Sequence, residues 1–215
     1  MNWAIANAEY LGVLTWRHIY LSAIPILAGL ALALPIGWLA HSVKPLRGFL
    51  LGAGSLLYTI PSLPLFVILP TILGQGYLSP INALVALTIY AFAIMVRSVT
   101  DALDAVPTDV RAAAEACGYS PLQRALQVTL PLAGPVILAS LRVVAVSTVS
   151  LLSIAALIGI SNLGSLFTDG FQRRFIEEIL IGIVLIVIVA FVFDRLLVLA
   201  GRLLMPWTAK AEVRA

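Results

Sequence analysis

A chain of 215 residues, 61% of them apolar and only 11% charged, lies outside the range of soluble globular domains, where about 45–50% and about 25% are usual. The formal net charge of +3 does not point to nucleic acid, because the 13 Lys and Arg are scattered between apolar runs and form no basic stripe or patch. A single cysteine and two distant histidines exclude an internal disulfide and a thiolate metal cluster, and Cys117 reads as a small residue in a packed helix.

From the amino terminus, Met1 to His18 lacks the basic start, short apolar run and small-residue cleavage site of a secretory leader. Whether an interfacial helix over residues 3–16 precedes the first span is left open. A bilayer core about 30 Å thick takes about 20 apolar residues per helix. Five runs meet that length, over residues 19–40, 48–73, 79–96, 132–160 and 179–199. The expected fold is an all-α polytopic membrane protein of about five transmembrane helices, with residues 1–215 forming one domain.

The first run holds Pro25 and Pro35, and the second holds Pro61, Pro64 and Pro70. Each proline removes a backbone donor, and in lipid the freed groups must be satisfied by protein or by a water-filled cavity. The second run is therefore expected to face the protein interior. Basic residues set the orientation. Lys44, Arg47, Arg97, Arg111, Arg124, Arg195, Arg202, Lys210 and Arg214 fall on one side of a five-span chain, and Arg17, Arg173 and Arg174 on the other. Nine against three predicts the amino terminus outside and the carboxyl terminus in the cytoplasm. The remaining basic residue, Arg142, lies inside the fourth run, where a charge either snorkels to the interface or pairs with a carboxylate or a neighbouring subunit.

The stretch 97–131 is too long for a passive connection. Its spacing predicts two short helices broken at Pro107 and around Gly118 to Pro121, with Thr108 or Asp109 as first cap, Gly118 as a left-handed C-cap and Pro121 opening the second helix. An alanine-rich helix closed by glycine has little side-chain bulk and suits insertion into a groove on another protein.

Ala112-Ala113-Ala114-Glu115-Ala116-Cys117-Gly118, followed by Leu130-Pro131, resembles the E-A-A, G and L-P signature of binding-protein-dependent ABC importer permeases. That resemblance makes the segment a cytoplasmic coupling elbow of the type I importer kind. It assigns ATPase coupling to Ala113, Ala114, Glu115, Gly118, Leu130 and Pro131. Counting back from Gly118, the family's glutamate falls on Ala112 and Glu115 stands one turn later, either as a replacement contact or with docking resting on shape. Ile60-Pro61-Ser62-Leu63-Pro64, residues 130–138, Ile158-Gly159 and Leu163-Gly164 resemble most the permeases for osmoprotectants such as glycine betaine, choline or carnitine. Methionine and other amino-acid permeases are similar in length and loop.

The resemblance further implies ABC ATPase subunits, a second permease of the same or a related kind, and an extracytoplasmic solute-binding protein as partners in the lipid bilayer. ATP and magnesium would belong to the ATPase. This chain is expected to carry no catalytic, cofactor or metal site. Polar residues expected along the pathway are Tyr58, Thr59 and Ser62 at the broken second run, and Ser147, Ser150 and Ser153, whose spacing of three keeps them near one helix face; helix packing explains the same hydroxyls. Tyr58, Phe66, Tyr90 and Phe92 are aromatic contributors to which no site is assigned. Asp169, Arg173 and Arg174, between the last two spans, are candidates for docking the binding protein. An intramembrane enzyme lacks paired carboxylates or a nucleophile beside a base, since His18 and His41 sit at span edges. A channel would need a filter that is not apparent. An exporter would need a sixth span and a fused or paired ATPase, and the chain has no Gly-rich phosphate loop.

Overall fold

The computed structural model describes residues 2–208, and Lys210 and Arg214 lie outside that range. Among the described residues the regular structure is entirely helical: α1 (Asn2–Ala6), α2 (Ala8–Ser42), α3 (Lys44–Thr59), α4 (Ser62–Leu73), α5 (Pro80–Asp104), α6 (Thr108–Ala116), α7 (Pro121–Arg124), α8 (Leu130–Leu152), α9 (Ser165–Arg173) and α10 (Ile176–Leu204). A π-helical turn over Ala125–Thr129 joins α7 to α8, and a 3₁₀ segment over Ser153–Ile158 extends α8. Four continuous helical stretches are long and apolar enough to cross a membrane, and α3 with α4 passes the same test only as a pair, bent by 101° between them.

The centre of the bundle is α2 against α5, with α8 closing over both. Small residues make that approach close. A Cβ on Gly29 would stand 2.6 Å from Ala91 Cβ, and one on Gly37 would stand 2.7 Å from Val99 Cγ1. Around this seam lie Ile26, Met95, Val99, Leu103 and Leu141 in one half, and Leu21, Phe66, Leu87, Leu152 and Ile160 in the other.

The first span differs from expectation in two ways. It is one unbroken helix of 35 residues that already includes Tyr10 and Trp16, preceded only by the short α1. Pro25 and Pro35 sit inside it without interrupting it, Pro25 buried against neighbouring helices and Pro35 on the exposed face. The third span also runs further than its apolar stretch, to Asp104, so the elbow proper starts at Ala105.

The second run does break. Ile60, which precedes Pro61, is extended at φ −64° and ψ 124°, as a residue before proline is driven to be. Pro64 has no N–H to donate to the Ile60 carbonyl four residues back. The Tyr90 hydroxyl, from α5, donates to that carbonyl at 2.5 Å. The expectation that this run faces the protein interior holds for its second half, where Leu65, Phe66, Leu69 and Pro70 of α4 are buried, and is not met within one chain by its first half, where Gly54 is the sole buried residue of α3. Its outward face is covered by no other part of the chain's described residues.

Candidate functional site

The elbow is built by local rules. α6 begins after Pro107 with no side-chain cap, so Thr108 and Asp109 occupy its first turn and neither is the cap; Asp109 there still complements the helix dipole. Gly118 ends the helix at φ +83°, a left-handed conformation that costs other residues about 1–2 kcal/mol. Ser120 then caps α7 in a reciprocal box with Gln123, and Pro121 occupies its first turn. Glu115 pairs with Arg124, tying α6 to α7. Ala114 is buried against the chain, and Leu130 and Pro131 are half-buried at the start of α8. Ala112, Ala113, Ala116, Cys117 and Gly118 form an exposed surface of small residues, edged by Tyr119 and Leu122. Cys117 thus lies at an exposed helix end and is not packed, because it caps α6 just beyond the last helical residue, Ala116.

A polar cluster that sequence reasoning missed fastens this elbow to the spans. His41 Nδ1–H at the end of α2 donates to Asp104 Oδ1 at the end of α5 at 2.5 Å, and Arg111 of α6 donates to His41 Nε2 at 3.4 Å. These partners select the neutral Nδ1–H tautomer. Arg47 of α3 also pairs with Asp104, and Trp38 lies against the His41 ring at 5.9 Å. A concavity of about 870 Å³ opens between this cluster and the elbow. Four helices therefore meet through one carboxylate and one imidazole. The only signal in the sequence was polar residues at the ends of separate runs, whose meeting depends on tertiary packing.

At the break in the second span, Tyr58, Thr59 and Ser62 come together. Tyr58 is 52% exposed and meets Tyr90 edge to face at 6.1 Å. The Thr59 hydroxyl is spent on the Leu56 carbonyl at 2.7 Å. Ser147, Ser150 and Ser153 lie on the accessible side of α8 and its extension, with Ser150 the most open. Arg142 does not snorkel to an interface. Its Nε donates to Asp194 Oδ1 of α10 at 2.7 Å.

The opposite end of the bundle is organised by buried polar groups. His18 is fully buried inside α2, not at a span edge as its place in the hydropathy pattern implied, because the helix begins ten residues earlier. Its Nε2–H donates to the Val149 carbonyl at 2.9 Å and its Nδ1 accepts from the Leu163 N–H at 3.3 Å. Asn162 likewise bonds the Ile160 carbonyl and the Gly164 N–H. Of the residues considered for docking on this side, Arg173 is committed to the fully buried Glu178 at 2.6 Å. Arg174 is exposed in a left-handed turn at φ 54°, and Asp169 is half-buried on α9.

The profile of the family described as "Binding-protein-dependent transport system inner membrane component" matches residues 26–210. The chain is similar to the osmoprotectant import permease protein OsmW of Salmonella typhimurium, at 34% identity over 92% of this chain and 93% of that protein. It is similar also to the choline transport system permease protein OpuBB of Bacillus subtilis, at 30% identity over 89% and 87%. Among solved structures, a chain of the MetNI methionine ABC transporter in an inward-facing conformation superposes with a TM-score of 0.73 at 22% identity, covering 87% of this chain and 94% of that one, which shows a shared fold.

Proposed function

We propose a substrate, a sidedness and an assembly for a chain that belongs to the family of binding-protein-dependent transport system inner membrane components. It is the inner-membrane permease component of an ABC importer, which works with an ATPase and a solute-binding protein. The solute is a quaternary ammonium osmoprotectant of the glycine betaine, choline or carnitine type. What carries this reading is similarity along nearly the whole length to permeases named for osmoprotectant and for choline.

The amino terminus lies outside and the elbow in the cytoplasm. Lys44, Arg47, Arg111, Arg124 and Arg202, all towards the elbow end, support this orientation. The exposed small-residue surface from Ala112 to Gly118 enters a groove of the ATPase, with Ala113 and Gly118 at the contact. Ala114, Leu130 and Pro131 hold that surface in place. Because Glu115 is paired within the elbow, docking rests on shape. A second permease, identical or related, completes the pathway and covers the open faces of α3 and α10, and the outer segment around α9 receives the binding protein. ATP and magnesium are held by the ATPase, and this chain performs no catalysis.

Closure of the ATPases on ATP draws two elbows together. Each elbow pulls on α2, α3 and α5 through Arg111, His41, Asp104 and Arg47, biasing the permease pair between inward-facing and outward-facing states. The test is to purify the complex from mild detergent and challenge the co-purified binding protein with glycine betaine, choline, carnitine and methionine in a thermal-shift assay. A rise in melting temperature with a quaternary ammonium compound is expected. A response to methionine alone would overturn the substrate, and the absence of any ATPase would overturn the assembly.

A further inference from the structure

The pair Arg142–Asp194 is far from any helix end. Arg142 lies twelve residues after Leu130 and ten before Leu152 on α8, and Asp194 lies ten residues before Leu204 on α10. Charges at such depth are costly unless they face protein or water, and in a membrane protein they mark solute or ion pathways. Pairing offsets the cost between the two helices, but it uses little of the guanidinium. Nε alone is bonded, and the four Nη–H groups have no hydrogen-bond partner among the described residues.

Those free donors open into a groove. The Arg142 side chain is 40% accessible against 17% for Asp194. On one side of the pair lies a concavity of about 410 Å³ lined by Val143, Val146, Ser147 and Asp194. On the other is one of about 560 Å³ reaching to Arg202 and Thr208. Ser147 and Ser150 continue the same accessible face of α8 towards the far side of the membrane. The groove thus runs past a cation and an anion held 2.7 Å apart, the second oxygen of Asp194 lying 3.7 Å from Arg195 Nε at the exposed edge, with uncharged hydroxyls beyond them.

We propose that Arg142 and Asp194 form a transient binding site for a zwitterionic solute in the translocation pathway, the guanidinium taking the solute carboxylate and Asp194 facing its cationic nitrogen. The inference rests on the substrate class given above and narrows it to compounds that carry a carboxylate, such as betaines and carnitine. With Nε held by Asp194, the outer edge of the guanidinium, Nη1 and Nη2, remains free to bind a carboxylate through two parallel hydrogen bonds. Asp194, held on Nε, already neutralises much of the charge of Arg142. That partial neutralisation keeps binding weak and release quick, as a pathway requires. Choline has no carboxylate and gains nothing from Arg142.

The experiment is uptake of labelled glycine betaine, carnitine, choline and methionine by vesicles that contain the complete importer with its ATPase and binding protein. Variants Arg142→Gln and the charge exchange Arg142→Asp with Asp194→Arg are compared with the parent. Co-purification of the ATPase and basal ATP hydrolysis report assembly. Loss of one ionic partner should lower uptake of carboxylate-bearing solutes by roughly tenfold to a hundredfold. The exchanged pair should restore assembly while leaving that uptake low, because the cation then projects from α10. Full uptake by the exchanged pair would overturn the proposal, since a merely structural bridge works in either direction. So would a parent complex that imports choline and none of the carboxylates. A parent that imports only methionine would overturn the osmoprotectant reading and leave this site standing, because Arg142→Gln should then reduce methionine uptake.

Discussion

The two ends of the bundle are held together by different chemistry. At the elbow end the contacts run among charged side chains and one imidazole that water partly reaches: His41, Asp104, Arg47, Arg111, and Glu115 with Arg124. At the other end one ion pair, Arg173 with the fully buried Glu178, lies beside bonds that run from buried neutral side chains to backbone: His18 to Val149 and Leu163, and Asn162 to Ile160 and Gly164. Exposed ion pairs contribute at most about 1 kcal/mol and exchange easily for water. A buried polar group stripped of its partner costs about 1–3 kcal/mol. The elbow end is therefore suited to rearrange as the ATPases close, and the opposite end to stay fixed while it does.

The largest effect should come from removing the fixed clamp. His18→Leu removes the bond to the Val149 carbonyl and leaves the buried Leu163 N–H without its His18 acceptor, and is expected to destabilise the chain by about 1–3 kcal/mol, seen as a lower melting temperature in detergent and a smaller yield of folded protein. Unchanged melting would break the comparison. Gly118→Val comes next. The left-handed turn at φ +83° costs a β-branched residue about 1–2 kcal/mol or more, confined to the elbow. Transport should fall steeply while membrane insertion and yield are kept, and normal uptake would remove Gly118 from the contact.

Tyr90→Phe tests a single bond across the broken span. With the Ile60 carbonyl unpaired, a loss of about 1–2 kcal/mol in stability is expected, together with faster proteolysis near Pro61 that the parent does not show. The smallest effect should follow Glu115→Ala. Its pair with Arg124 is exposed, so stability should change by less than about 1 kcal/mol. ATPase co-purification should be unchanged if docking rests on shape, and loss of the ATPase would make Glu115 a direct contact.

Much of this was legible in the order of residues. The apolar runs located the four continuous spans and the bent α3–α4 pair, because the length of a span is imposed by bilayer thickness. Gly118 and Pro121 announced the elbow, because a left-handed turn and a proline-opened helix depend on single residues. The break after Ile60 followed from Pro61 and Pro64. What was misread has a common cause. His18 looked like an edge residue because hydropathy ends where polar residues begin, whereas the helix continues outward to Ala8. Cys117 looked packed because composition does not reveal which face of a short helix turns outward. Arg142 had several partners open to it, and only the packing of α8 on α10 selected Asp194.

By itself, then, the sequence determined a polytopic helical protein, its crossings, the elbow between the third and fourth of them, and the family signature. These are local properties, set by side-chain hydrophobicity and by the backbone preferences of glycine and proline over a few residues. Tertiary structure alone decided that His41 meets Asp104 across 63 positions, that His18 reaches Val149 across 131, and that Arg142 meets Asp194 across 52. Such contacts depend on the relative rotation and height of whole helices, which is settled by how small residues such as Gly29 and Gly37 let α2 and α5 approach, and no short stretch of sequence encodes that.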